Sequence, residues 1–248
     1  MNNYQPQNQG LGRPETWPPR QEGGWGSLQA TTAAQASVAE RMSFIRKVYA
    51  LFFAATLFGI GGVALGLSFT PLRVFAFEHP FIMFFAMIGG VLGAQAVRHV
   101  RGLNLFALFA FTMLTGAIIS PLIYIIGQIN PGSILTAGVL TVGIFGGLTA
   151  YVFISKRDFS FMRGMLTVGL IVVILAGLLS MFLASGALGF AVSAAALLLF
   201  SGFVLYDTSN IIRHYPTNEY VSAALSLYLD AFNIFLALLR LLNSGSRD

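Results

Sequence analysis

The sequence predicts an all-α polytopic membrane protein, a bundle of seven transmembrane helices, and three observations carry that prediction. Of the 248 residues, 56% are hydrophobic and only 9% are charged, against about 25% charged in a soluble domain. Several apolar stretches approach or exceed the roughly 18 residues that mark a membrane-crossing helix. The basic residues stand singly at the ends of those stretches, on alternating sides. A mean hydropathy of +0.77 excludes an ordinary soluble domain. The formal charge of +5 reads as topology rather than as a nucleic-acid surface, because the cations are scattered. No cysteine is present, which excludes disulfides and thiolate metal sites.

The chain opens on a polar stretch, residues 1–40, rich in Gln, Gly, Pro and Asn. It lacks the charged-then-apolar pattern of a signal peptide and reads as a disordered tail that cannot build a core. Trp17 and Trp25 are its two candidates for touching a membrane surface. The membrane domain then occupies 41–248. Helix 1 is expected over 46–69, helix 2 over 79–98, and helix 3 over 103–127 with Pro121 inside it. Helices 4, 5 and 6 follow over 133–155, 163–184 and 187–209, and helix 7 over 219–242. Connections are short, and Pro71, Pro131 and Pro216 punctuate three of them. Pro121 should kink or fray helix 3 unless a neighbour satisfies the freed carbonyl.

Orientation follows from the cations. Arg41, Arg46 and Lys47 precede helix 1; Arg98 and Arg101 follow helix 2; Lys156, Arg157 and Arg163 follow helix 4; Arg213 follows helix 6. The opposite loops carry only Arg73. The positive-inside rule therefore puts the N-terminus in the cytoplasm. Seven full crossings put the C-terminus outside, whereas a re-entrant last segment would return Arg240 and Arg247. The pairs Gly62–Gly66, Gly89–Gly93 and Gly143–Gly147 have G-x-x-x-G spacing, which suits close helix packing within one bundle or a dimer face.

Few ionisable residues remain inside the spans, and such residues mark function. Asp230 lies ten residues into helix 7, roughly 15 Å along its axis. Asp207 lies near the cytoplasmic end of helix 6, and Arg98 ends helix 2 on the same side. Each aspartate heads a D-x-x-N on one helix face, with Asn210 and Asn233. On helix 7, Ser222, Ser226, Asp230 and Asn233 form a polar stripe. The short 210–218 connection makes helices 6 and 7 neighbours, so the two carboxylates can meet. Close carboxylates in a low dielectric titrate in coupled steps, one with a raised pKa. A shared proton, an arginine counter-ion (Arg98) or a bound cation such as Ca²⁺ would each satisfy them. The plain alternative makes Asp207 a helix-end residue and Asp230 a lone hydrogen-bonder. His79, His99 and His214 fall in loops and read as solvated histidines, with modulation of the pair by His214 as the alternative.

Four stretches resemble those of the Bax inhibitor family, the transmembrane Bax-inhibitor-motif proteins. They are "ALSLYLDAFNIFLALLRLL" at 224–242, "KRDFSFMRG" at 156–164, "LYDTSNI" at 205–211 and "FTMLTGAIISP" at 111–121. They fall in the family's order, and the resemblance covers roughly residues 40–243. It implies a seven-helix bundle with the last helix central and wrapped by the other six, and a pH-sensitive calcium leak. It also implies that Asp207 and Asp230 latch the cytoplasmic end of a pore with Arg98 nearby, Arg101 being the alternative. Helix 2 departs from some members in having no acidic residue inside its span. The short loops, and the absence of a basic C-terminal tail, resemble a bacterial inner-membrane member.

Three functions follow as expectations. The first is a calcium leak gated by protonation of the pair, with Asn210, Asn233, Ser226 and Ser222 as cation-pathway candidates and Asp207 and Asp230 as calcium ligands. No cofactor is expected, and the partners are the bilayer and calcium ions. The second is a regulator that binds a membrane protease or a stress or cell-death factor without transporting anything. The third, an intramembrane aspartyl protease, is disfavoured because the second aspartate sits in "LYLD" rather than G-x-G-D, and no P-A-L triplet follows. An enzyme is therefore not expected. Lys47 and Lys156, the only lysines, do not lie mid-span, which excludes a retinal Schiff base.

Overall fold

The computed structural model describes residues 31–183 and 185–244, and every regular element among them is helical. In chain order the helices are α1 (Val38–Ser68), α2 (Thr70–Glu78), α3 (Pro80–Ala96), α4 (Leu103–Ile129), α5 (Pro131–Ser155), α6 (Arg163–Leu183), α7 (Gly186–Arg213) and α8 (Tyr220–Ser244). A 3₁₀ turn, Ser160–Met162, precedes α6.

Each start has a local cause. Ser37 opens α1 with a reciprocal capping box to Glu40, which satisfies two otherwise orphaned donors. Proline occupies the first turn of α2, α3 and α5, where its missing N–H has no partner to lose. Gly102, at φ +81°, turns the chain into α4, a conformation that suits glycine. Helix α1 begins eight residues before the expected 46, and residues 31–37 ahead of it are ordered against the bundle. The disordered tail expected over 1–40 is thus corrected at its C-terminal end; Trp17, Trp25 and the rest of 1–30 lie outside the described residues.

Among the described residues, six helices are long and apolar enough to cross a membrane. The expected second span is instead a broken pair: α2 and α3 meet at 98° around His79–Pro80 and make a seventh span only if counted together. Proline disfavours the α conformation in the residue before it, and here the helix ends at that point. Outward faces carry large apolar side chains such as Ile154, Phe161, Leu198 and Val142, each more than 70% exposed. A surface of that kind belongs in hydrocarbon rather than in water. The protein is an integral membrane protein with an all-helical bundle.

The core gathers along α8, which has the largest buried share of any span and packs on α1, α4, α5 and α7. Helix α6 lies outside, against α7, and α2 and α3 lie against α4. Contacts to α8 therefore come chiefly from four helices rather than from all six. Helix α8 runs unbroken from Tyr220 to Ser244, about 37 Å at 1.5 Å per residue, long enough for a full crossing. Its hub is Tyr228, whose hydroxyl meets Thr115 Oγ1 at 2.5 Å and donates to the Thr112 carbonyl at 3.3 Å. Farther along, Asn243 Nδ2 donates to Ser133 Oγ at 2.9 Å and ties the end of α8 to the start of α5.

Helices α1 and α4 touch backbone to backbone. A Cβ at Gly62 would overlap the Met113 carbonyl oxygen, one at Gly66 would overlap Ser120 Oγ, and one at Gly116 would overlap the Gly59 carbonyl oxygen. At Gly89, Gly93, Gly143 and Gly147 a Cβ would meet nothing within 4 Å. Of the three G-x-x-x-G pairs, only Gly62–Gly66 is a packing seam. Pro121 does not break α4, which continues through it. The carbonyl it frees is that of Ala117, and Ser120 Oγ donates to that oxygen at 2.8 Å. A neighbouring hydroxyl thus replaces the missing backbone donor.

Candidate functional site

Helices α7 and α8 are joined by residues 214–219 at the basic end of the bundle, the end that also holds the α5–α6 loop and the start of α1. The short turn holds the helices side by side, as the sequence predicts, and sets Asp207 against Asp230. Their carboxyls lie within hydrogen-bonding contact. Asp230 is 3% exposed, while Asp207 is partly exposed on the wall of a cleft of about 530 Å³. That cleft is lined by Arg163, Asp207, Asn210, His214, Tyr215 and Glu219, among others.

The two-carboxyl contact has a simple chemistry. With both groups ionised there is no hydrogen between them, and Asp230 Oδ2 is a buried acceptor without a donor. One proton turns the same contact into a hydrogen bond and removes one of two like charges. A buried, unpartnered carboxylate oxygen is costly. A proton shared between the two carboxyls, or a cation held by them, would satisfy that oxygen.

The other sequence-predicted residues divide. Asn210 is buried and lines the cleft beside Asp207. Ser226, one turn before Asp230, meets the Tyr215 hydroxyl at 3.2 Å. Ser222 is buried on the same helix. Asn233 is engaged on its own helix, its Nδ2 donating to the Leu229 carbonyl at 2.7 Å. Arg98 is not brought to the pair. It sits exposed in the turn between α3 and α4, where its Nε donates to His99 Nε2 at 2.9 Å. Arg101, exposed in the same turn, is no closer to being a counter-ion. The break between α2 and α3 and their packing on α4 explain this, because the cation at the end of α3 follows α4 rather than α8. Among the described residues, no group of three or more His, Asp and Glu gathers as a metal cage.

The "KRDFSFMRG" stretch fastens the α5–α6 loop to the end of α7. Asp158 Oδ1 accepts from the Ser160 N–H at 2.9 Å and from Ser209 Oγ at 3.4 Å, and the Phe159 N–H donates to Ser209 Oγ at 3.1 Å. His214 Nε2 lies 3.8 Å from Asp158 Oδ2, and Arg213 donates to the Lys156 carbonyl. The Ser160 N–H, with smaller pulls from His214 and Arg213, holds the Asp158 carboxyl below its ordinary value. His214 therefore serves the loop rather than the aspartate pair.

Two features escaped the sequence reading. Tyr215, in the turn between α7 and α8, is drawn inward; burial, and behind it the Asp207 charge, push its hydroxyl up to about 12. Its position after "IIRH", in the connection expected over 210–218, carried no signal. Tyr49, Thr149 and Thr208 also bring three hydroxyls together from α1, α5 and α7. Each lacks a well-formed hydrogen bond.

The family model "Inhibitor of apoptosis-promoting Bax1" matches residues 41–247. Protein lifeguard 4 of Mus musculus is 38% identical over 217 residues, which cover 86% of this chain and 90% of its own length. The Golgi anti-apoptotic protein of Vaccinia virus (strain Lister) is 34% identical over 220 residues, covering 88% of this chain and 92% of that protein. An uncharacterized membrane protein of Vibrio cholerae is 44% identical over 136 residues, covering 54% and 60%.

Proposed function

The chain belongs to the Bax inhibitor family, and we propose that it is a pH-sensitive calcium leak gated by the proton on its Asp207–Asp230 pair. We place it in a bacterial inner membrane with its N-terminus and basic end in the cytoplasm, following the positive-inside pattern. On this reading α8 is the axis of a seven-span bundle, with α2 and α3 together as one span. The observation that carries the proposal is the contact between the two carboxyls, one of them buried with an unpartnered oxygen.

With a proton between them, the carboxyls hold α7 and α8 together at the cytoplasmic end. Without it, two like charges repel, the helices part, and a hard divalent cation finds oxygen ligands from Asp207, Asp230 and Asn210. Ser222 and Ser226 continue the polar path, and Asn233 lies deeper. Arg98 has no role in the latch. The ion is cargo, no cofactor is required, and no covalent chemistry is assigned to the pair.

Ca²⁺ flux into liposomes, measured across a pH series, tests this. The leak should rise as pH rises. Asp230→Asn should keep the inter-helix hydrogen bond without a titrating proton, giving a low, pH-independent leak. Unchanged flux and pH response in both Asp207→Asn and Asp230→Asn would sink the reading.

A second reading is favoured by the names of two relatives, lifeguard and anti-apoptotic. On that reading the chain regulates another membrane protein, such as a protease or a stress factor, without transport. A stable co-purifying partner, together with a purified protein that passes no ions, would favour it.

A further inference from the structure

Residues 31–36 precede every span, yet Ala33 is 0% exposed and belongs to the hydrophobic core. The reason is a short backbone pairing. The Ala33 N–H donates to the Tyr215 carbonyl at 2.9 Å, and the Ala34 N–H to the Arg213 carbonyl at 3.2 Å. In return the Thr217 N–H donates to the Thr31 carbonyl at 3.2 Å. Thr32 and Pro216 face one another as an isolated antiparallel bridge. The segment is a strap laid over the turn between α7 and α8.

Tyr215 sits at the centre of that arrangement. The strap holds its backbone, and α8 holds its hydroxyl through Ser226 Oγ at 3.2 Å. Its side chain lines the same cleft as Asp207, one helical turn from Asp230 along α8. Charged and titratable neighbours face it from every side: Asp207 on α7, Asp230 on α8, Glu219 and His214 in the turn, and Arg163 at the start of α6. Moving the turn outward would break the Ser226 contact and open the cleft onto the pair.

We propose that Tyr215 is the gate between the cleft and the Asp207–Asp230 pair, and that the 31–34 strap seats it. This rests on the leak reading for its functional consequence and on the strap geometry for the gate itself. Tyr215 is a positioning residue: it occupies the path and ligates nothing. A net hydrogen bond weights an equilibrium by roughly two- to twelvefold, so losing one strap bond or the Ser226 bond should raise the leak by that factor.

The absence of native cysteine allows a reversible test. Facing residues of an antiparallel bridge have Cα atoms about 4.5–5.5 Å apart, within the span of a disulfide. A Thr32→Cys/Pro216→Cys chain is placed in liposomes, and Ca²⁺ leak and amide hydrogen exchange over 213–226 are read before and after reduction. Oxidation should slow that exchange and lower the leak severalfold, and reduction should restore both. Ala33→Pro and Tyr215→Phe should act oppositely, raising the leak while the pH response persists. Ala33→Pro removes one strap donor at a turn position that accepts proline, and Tyr215→Phe keeps the ring but loses the Ser226 bond. A leak indifferent to oxidation overturns the gate, whether or not exchange slows. If the parent chain passes no Ca²⁺, the leak reading itself falls. The gate then stands or falls on exchange alone: protection of 213–226 on oxidation supports the seat, and its absence overturns it.

Discussion

Replacing Gly62 with alanine tests the backbone seam between α1 and α4. The added Cβ would overlap the Met113 carbonyl oxygen and lie 2.8 Å from its carbon and 3.0 Å from the Ala117 nitrogen. All three are backbone atoms, so no side chain can swing aside and the axes of α1 and α4 must part. Restoring van der Waals contact at about 3.5 Å requires a shift on the order of 1 Å. That shift loosens the seam at Gly59, Gly66 and Gly116 as well. Overpacking of this kind costs about 1–3 kcal/mol, and rigid neighbours place Gly62→Ala at the upper end. Alanine returns roughly 0.5–1 kcal/mol of helix propensity, leaving a net loss of about 2 kcal/mol. Gly61→Ala is the matched control, because nothing lies within 4 Å of its Cβ and only the propensity gain applies. Equilibrium unfolding in mixed micelles, followed by helical circular dichroism, measures both. A Gly62→Ala variant within about 0.5 kcal/mol of Gly61→Ala, the scatter of neutral substitutions, would refute the seam.

Tyr228→Phe removes the hydroxyl that meets Thr115 and Thr112, and should lower stability by about 0.6–1.7 kcal/mol, the range of membrane-buried hydrogen bonds, in the same unfolding assay. Ser120→Ala strips the donor from the carbonyl that Pro121 frees; about 1–3 kcal/mol should be lost, and Ser120→Ala/Pro121→Ala together should recover most of it. Asp158 has a lowered folded-state pKa, so its contribution is complete above the ordinary carboxylate pKa and is lost as pH falls through the folded value. Wild type and Asp158→Asn should therefore differ slightly at pH 6 and converge in strong acid, the difference being small because Asp158 is exposed and screened. Arg98→Gln should leave the pH response of Ca²⁺ flux unchanged, since the side chain sits away from the pair; a displaced pH profile would return Arg98 to the latch.

Much of the fold was legible because hydropathy is a local property. The apolar runs gave five of the spans almost as they stand, and the D-x-x-N patterns picked out Asp207 and Asp230 without any contact information. The α2–α3 break was harder. "FEHPFIMFF" contains the proline that forces it, but composition does not reveal an angle of 98°. Asn233 was placed on the polar stripe by spacing, yet its amide closes on Leu229, a choice made by the local rotamer.

Hydropathy and charge placement are enough to name the solvent and the cast: a chain this apolar must enter a bilayer, and charges retained inside it stand out against that background. Who meets whom is a matter of how the helices pack. Three glycine pairs share one spacing, but only Gly62–Gly66 faces another backbone, because spacing defines a groove and not the helix that fills it. Arg98 has the charge a counter-ion needs, yet the structure leaves it exposed in the turn between α3 and α4, bonded to His99. Residues 31–34 pair with the turn that carries Tyr215, a contact between segments far apart in the chain. Transfer into lipid is summed residue by residue, whereas a contact depends on the rotation and neighbours of two helices at once.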